Sequence, residues 1–228
     1  MFKYLILFVC LATPAAAQCV ILLHGLARGS GTWIRIEPAL KRAGYTVINQ
    51  EYPSTDQSIE VLANTALPGA LAACPKGQTV NIVTHSMGGI ILRQYLSDKS
   101  IPNFGRAVMI APPNQGSEIV DALGDLAVFG WITGPAGRQL GTGPDSLPNR
   151  LGPPNFSVGI IAGTVSINPV FSETIPGVDD GKVSVESTRL DGMADYVEVA
   201  ASHTFLTLKG EVVAQVLAFL QTGKFLRD

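Results

Sequence analysis

Short apolar runs alternate along the chain with longer stretches in which apolar residues recur at helical spacing. The runs predict β-strands at 19–23, 45–49, 79–84, 107–111, 156–162 and 196–200. The stretches of helical spacing predict helices at 33–43, 56–73, 87–96 and 211–220. Strands that alternate with helices form βαβ units. The pattern therefore predicts an α/β domain with a mainly parallel sheet of about six strands and helices on both faces.

Two segments depart from this alternation. Pro68 and Gly69 lie inside the second helical stretch and are expected to kink or interrupt it. Residues 112–155 carry many of the Gly and Pro residues and no clear strand, and their first half, 119–132, is strongly apolar. We interpret 112–155 as an insertion between two strands of the sheet and as a candidate cap or lid.

The N-terminus is typical of an export signal. Lys3 precedes an apolar run at 4–12, and three alanines at 15–17 offer a small-residue cleavage site. The run is shorter than the ~20 residues that span a bilayer, which disfavours the alternative of an uncleaved anchor. We predict a signal peptide at 1–17 and an exported, periplasmic or extracellular domain at 18–228, with no stable membrane anchor after cleavage.

Composition narrows the class of protein. Hydrophobic residues make up 46% of the 228 residues, charged residues make up 15%, and the net charge is −2. A disordered chain would be poorer in apolar residues, and a nucleic-acid-binding domain would be basic. We therefore expect a folded domain with no nucleic-acid partner.

The strongest chemical signal is at 84–89 (THSMGG), directly between a predicted strand and a predicted helix. A serine on such a sharp turn protrudes from the sheet, and the helix N-terminus stabilises negative charge that develops beside it. Small neighbours are needed in so tight a turn, and Gly88 supplies the second of them. We predict that Ser86 is a nucleophile.

A second turn, at 22–26 (LLHGL), follows the first predicted strand. Acyl transfer needs two backbone N–H groups directed at the oxyanion, and neighbouring parallel strands each present one at their carboxyl ends. The backbone N–H groups of Leu26 and Met87 are the predicted pair. The side chain of His24 is interpreted as ordering this turn.

The general base follows by elimination among three histidines. His24 lies in the oxyanion turn, and His85 adjoins the nucleophile, where its side chain should point away from the Ser86 hydroxyl. His203 follows the last predicted strand, at the same sheet edge as the other two motifs, and is the predicted base. The acid should lie between Ser86 and His203.

Two candidates for the acid, Asp179 and Asp180, lie in a turn-rich loop after the strand at 156–162. Gly181 follows Asp180 and permits the backbone angles of a tight turn, which favours Asp180. Asp179 is then expected to be a solvated neighbour or a helix cap. Asp191, shortly before the last strand, is the next alternative.

These motifs together resemble the α/β-hydrolase family, in particular its short bacterial lipase- and esterase-like members. The matching segments, in the family's order, are 23–26 (LHGL), 84–89 (THSMGG), 111–117 (APPNQGS), 180–183 (DGKV) and 202–203 (SH). The resemblance implies an acid at Asp180, in a D-G-x-V loop, and a fold that lacks the family's first two strands. Thr84 departs from the glycine usual at the first position of the elbow.

The leading functional hypothesis is a carboxylic-ester hydrolase that uses Ser86, Asp180 and His203. The expected partner is a small-molecule or lipid ester, and no metal or organic cofactor is implied. An acyltransferase with the same triad is the alternative, and a non-catalytic binding protein on this fold is a third reading. The apolar residues of a lid could line an acyl pocket, or form an ordinary core helix: Ile119, Leu123, Leu126, Phe129 and Trp131.

Two cysteines, Cys19 and Cys74, remain after removal of the leader, an even number in an exported protein. In the α/β-hydrolase fold the strands that begin near them are parallel neighbours, so the two cysteines should lie close together. We predict a disulfide between them, with two buried free thiols as the alternative.

Overall fold

A computed structural model describes residues 18–124 and 126–227, and the predicted signal peptide at 1–17 lies outside these residues. Six parallel strands form one sheet in the order β2-β1-β3-β4-β5-β6. Their bounds are β1 Gln18–Leu23, β2 Thr46–Gln50, β3 Thr79–His85, β4 Phe104–Ile110, β5 Ser157–Gly163 and β6 Asp195–Val199. The predicted α/β class and all six predicted strands are thereby confirmed, and β1 carries the turn at 22–26 at its carboxyl end.

Helices cover both faces of this sheet. They are α1 Ile36–Arg42, α2 Ile59–Ala73, α3 Met87–Asp98, α4 Glu118–Leu123, α5 Ala127–Arg138, α6 Leu147–Arg150, α7 Pro169–Ser172, α8 Val185–Thr188 and α9 Gly210–Thr222. Buried side chains of α2 and α3 pack on one face, and those of α1 and α9 pack on the other. The strands are therefore covered on both sides, which explains their continuous apolar runs. Within the part of the chain described, no helix is long and apolar enough to cross a membrane.

The expected break at Pro68 is wrong, because α2 continues through it from Ile59 to Ala73. Pro68 and Gly69 are exposed. The carbonyl that loses its backbone donor at Pro68 belongs to Asn64, which is also exposed and can bind water instead. The apolar face of the helix packs on the sheet, and this burial holds α2 together through the proline.

The insertion between β4 and β5 contains α4, α5 and α6, in the position that the sequence predicts. Arg93, a buried residue of α3, hydrogen-bonds to both ends of this insertion. The guanidinium donates to the backbone carbonyls of Asn114, Pro148 and Gly152 at 2.9–3.0 Å. Burial lowers the pKa of Arg93 to about 10, so the side chain stays charged at neutral pH. Nothing in the local sequence around Arg93 indicates this role.

The predicted disulfide is present in the structure. Cys19 in β1 and Cys74 at the end of α2 are bonded, and their Cα atoms lie 5.8 Å apart. This separation lies within the ~7 Å that a disulfide allows. The bond ties the first strand of the sheet to the helix that precedes β3.

Removal of this bond should destabilise the fold. The bond closes a loop with a sequence separation of 55 residues. We expect Cys19→Ala/Cys74→Ala to lower the free energy of unfolding by about 2–4 kcal/mol, measured by urea denaturation. The mature wild-type protein, denatured without reductant, should show no thiol titre. A titre of two thiols per chain would contradict the pairing.

Candidate active site

Ser86 occupies the turn between β3 and α3, where the sharpest backbone angles of the site are found. Its φ and ψ are 53° and −127°, a combination that L-residues adopt only under strain. A Cβ at Gly88 would lie 2.4 Å from the carbonyl oxygen of Leu23, so a larger residue cannot occupy this position. The turn therefore raises the Ser86 hydroxyl above the end of the sheet.

The departure from the family's pattern at Thr84 is accommodated by Gly89. Thr84 is buried, and a Cβ at Gly89 would lie 3.3 Å from its hydroxyl oxygen and 3.1 Å from Pro112. Because Gly89 has no side chain, it leaves space for the Thr84 side chain. With glycine at position 84, this space would not be needed. The elbow keeps its shape with a larger residue at its first position.

Three side chains form a hydrogen-bonded chain at the carboxyl edge of the sheet. The Ser86 Oγ lies 3.0 Å from His203 Nε2, and His203 Nδ1 lies 2.8 Å from Asp180 Oδ2. A carboxylate only accepts hydrogen bonds, so Nδ1 carries the proton and Nε2 is free to accept one from the serine. His203 and Asp180 are 4% and 1% exposed, respectively, whereas Ser86 is accessible from one side.

Asp180 is held by its own turn. Its Oδ1 accepts the backbone N–H groups of Lys182 at 3.0 Å and Val183 at 2.9 Å, which leaves Oδ2 for the imidazole. The backbone N–H of His203 donates to the Asp180 carbonyl at 2.9 Å. Gly181, the residue after Asp180, has a φ of +92°. This backbone angle favours glycine, as the sequence argument for Asp180 assumes.

Asp179 is not the solvated neighbour or helix cap that the sequence suggests. It is 7% exposed, and its Oδ1 accepts the backbone N–H of Gly181 and the hydroxyl of Ser172 at 2.6 and 3.0 Å. The cap of α8 is instead Ser184. The Asp179 carboxylate points away from the imidazole and braces the turn that presents Asp180.

Gly163, at the end of β5, is a functional position that the sequence analysis missed. A Cβ there would lie 2.8 Å from the Cβ of Asp180 and 2.6 Å from the carbonyl of Ala201. The loops that carry the acid and the base converge at this point. A glycine at the carboxyl end of a strand, one loop before the expected acid, is the signal that could have identified it.

The other two histidines position the site. His85 donates from Nε2 to the backbone carbonyl of His203 at 3.0 Å, and its burial lowers its pKa well below the ordinary value. His24 is fully buried and stacks on Tyr52 at a ring separation of 3.9 Å. The Tyr52 hydroxyl donates to the carbonyl of His24, which ties the turn after β1 to the rest of the domain.

Leu26 and Met87 lie on the two turns that meet beside Ser86. A Cβ at Gly25 would be 3.0 Å from the Ser86 Cβ, so the turn after β1 lies against Ser86. Met87 is the first residue of α3, where backbone N–H groups have no acceptor within the helix. Both positions can direct N–H groups at a reacting oxygen.

A cavity of about 410 Å³ opens onto Ser86 and His203. Ile119, Leu123 and Leu126, named from the sequence as candidate pocket residues, line it. So do other apolar residues, chiefly of the insertion: Val120, Ile132, Leu140 and Phe171. The side chains of Phe129 and Trp131 fall outside those that the structure describes. Among the described residues, His, Cys, Asp and Glu form no group of three that could hold a metal ion.

Comparison with known proteins decides the family. The sequence matches the profile of the alpha/beta hydrolase family over residues 20–216. The chain belongs to the alpha/beta hydrolase family. The matched range contains the elbow, the turn after β1 and the loops that hold Asp180 and His203. No curated protein matches the sequence.

Solved structures of a lipase, a phospholipase and a carboxyl esterase share the fold at low sequence identity. The propeptide form of the lipase BlEst2 from Bacillus licheniformis has a TM-score of 0.72 and 20% identity, over 95% of this chain and 52% of that one. Phospholipase PlaB from Legionella pneumophila has a TM-score of 0.70 and 18% identity, over 92% and 60%. The metagenomic carboxyl esterase MGS0156 has a TM-score of 0.64 and 17% identity, over 87% and 68%. The chain spans about half of the first structure and three fifths of the second.

Proposed function

We propose that this alpha/beta hydrolase is an exported serine hydrolase that cleaves carboxylic esters of the lipase or esterase type. The observation that carries the proposal is the chain of hydrogen bonds from Asp180 through His203 to Ser86 at the mouth of an apolar cavity. This set of groups is what nucleophilic acyl transfer requires. Membership of the family and the lipase, phospholipase and carboxyl esterase with the same fold support it.

The groups of the site have distinct roles in the proposed reaction. His203 takes the Ser86 proton as the serine oxygen attacks the ester carbonyl, and Asp180 stabilises the imidazolium that forms. The backbone N–H groups of Leu26 and Met87 stabilise the oxyanion. The bond between carbonyl carbon and alcohol oxygen then breaks, the alcohol leaves with the proton from His203, and water later releases the acid from Ser86 by the same route.

In the proposed complex the acyl chain lies along α4 and α5, and the apolar lining of the cavity supports this position. Leu126, at the start of α5, is 51% exposed although it faces the cavity opening. A residue of an ordinary core helix would be buried, so this exposure favours a lid over a core role for the segment. Export is supported by the disulfide, which requires an oxidising compartment, and by the predicted signal peptide.

The test of the proposed function is a series of p-nitrophenyl esters, from acetyl to long acyl chains. We expect Ser86-dependent hydrolysis across the series, with rates measured below and above the solubility limit of each ester. An acceptor competition assay with added alcohols distinguishes hydrolysis from acyl transfer. Absence of turnover for every ester would overturn the proposal.

The role of the lid is tested by Leu126→Asp. A charge at this exposed position should cost little stability, but it should lower kcat/KM for octanoyl esters at least tenfold more than for acetyl esters. Val61→Asp is the matched control, because Val61 is also an exposed apolar helix residue but does not line the cavity. A general loss of folded protein with an unchanged chain-length preference would instead indicate a core helix.

A further inference from the structure

Among the described residues that line the active-site cavity, the fixed charges all have one sign. Of its described lining residues, Arg28 and Lys182 carry a fixed charge, and Asp and Glu do not occur among them. The whole chain has a net charge of −2, so its overall charge does not account for two cations at one site. Both side chains are exposed and line a cavity whose other lining residues are mostly apolar, which indicates a polar end of the substrate.

Arg28 lies beside the loop that carries His203. Its guanidinium donates to the hydroxyl of Thr204 at 3.0 Å, and Thr204 is the neighbour of His203. Beyond Arg28 lies a second cleft of about 430 Å³, lined by Arg28, His85, Thr204 and Phe205 among others. Arg28 therefore lines both the apolar cavity and a cleft that reaches Thr204, the residue after His203.

Lys182 approaches from the turn that presents Asp180. Partial burial and then repulsion by Arg28 lower the pKa of Lys182, and attraction by Asp180 opposes them. Asp180 is engaged with His203, and none of the ion pairs formed by the described residues includes Arg28 or Lys182. Two cations that line one cavity, and that form no ion pair among the described residues, are stabilised by a bound anion.

We propose that Arg28 and Lys182 recognise a phosphate group on the alcohol of the ester that this site cleaves. The inference rests on the proposed function and names its substrate class. Phosphate offers several oxygens, and a guanidinium fork with a separate ammonium can bind them at the same time. The acyl chain occupies the apolar cavity, only the bond from acyl carbon to alcohol oxygen breaks, and the phosphate-bearing alcohol leaves protonated by His203.

A matched pair of soluble esters tests the proposal. 1-Hexanoylglycerol 3-phosphate and 1-hexanoylglycerol differ only in the phosphate, so the ratio of their kcat/KM values isolates its recognition. We expect a ratio above about ten in the wild-type protein, equivalent to ~1.4 kcal/mol of preferential transition-state binding. The ratio should fall in 0.5 M NaCl, because salt screens exposed charges.

Arg28→Gln and Lys182→Gln should each lower this ratio about tenfold. The ratio does not depend on the fraction of folded protein, so it stays informative if a variant is less stable. Lys76→Gln is the control, because Lys76 is exposed in the turn before β3, at the opposite end of the strands from Ser86, and should leave the ratio unchanged.

The proposal is overturned by a wild-type ratio of one or less, or by either substitution leaving the ratio within twofold of wild type. If either result is obtained while 1-hexanoylglycerol is still hydrolysed, phosphate recognition is excluded but the proposed ester hydrolase function remains. If no ester is hydrolysed, the proposed function itself is excluded. Vesicles of dioleoyl phosphatidylglycerol identify the source of the phosphate. Fatty acid release that Arg28→Gln suppresses assigns a lipid headgroup, and turnover of the soluble phosphate ester alone assigns a soluble substrate.

Discussion

Ser86→Ala is expected to lower kcat for p-nitrophenyl butyrate by about 10⁵- to 10⁶-fold, as loss of a triad serine does in other hydrolases. The reason is that no other hydroxyl lies within reach of His203 Nε2 among the contacts of the described site. The variant should also lose labelling by a fluorophosphonate probe. Because the methyl group of alanine fits the space of the serine side chain, its thermal unfolding midpoint should stay close to that of the wild type.

Ser97→Ala provides the matched control. Ser97 lies on the same helix, α3, but is exposed, and its hydroxyl donates to the carbonyl of Gln94. It should retain both activity and labelling. If Ser86→Ala kept its activity within about tenfold of wild type, a difference of only ~1.4 kcal/mol, the serine mechanism would be untenable.

Asp180→Asn should lower kcat by about 10³- to 10⁴-fold with little change in substrate affinity. An asparagine can keep its carbonyl oxygen on the backbone N–H groups of Lys182 and Val183, so the turn survives. Its amide then faces His203 Nδ1 with a donor, which favours the tautomer that cannot accept the serine proton. Steady-state kinetics with one ester and a thermal unfolding curve separate this loss from misfolding.

Asp179→Asn is the control in the adjacent position, and it should lower kcat less than tenfold. Asp179 Oδ1 accepts hydrogen bonds from Gly181 and Ser172, and an amide oxygen can accept both. The reverse order of effects would assign the acid to Asp179. Small effects from both variants would exclude this turn, and Asp191 would be the next residue to substitute.

The sequence alone was sufficient for features whose cause is local. A parallel strand is buried on both faces, so each strand appears as a short apolar run and all six could be predicted. The position of Ser86 at a tight turn between a strand and a helix could be predicted, because the glycines at 88 and 89 reflect the sterics of that turn alone. His203 followed because the chain offers few histidines.

Only the tertiary structure decided the features that depend on contacts between segments far apart in the sequence. The pairing of Asp180 rather than Asp179 with His203 depends on the direction of two neighbouring carboxylates within one turn. Gly163 matters because two loops converge on it, and α2 runs through Pro68 because that proline lies on the exposed side. Arg28 and Lys182 are separated widely in sequence, and no periodicity relates them. Their common position at the cavity arises because parallel strands bring their carboxyl-terminal loops to the same edge of the sheet.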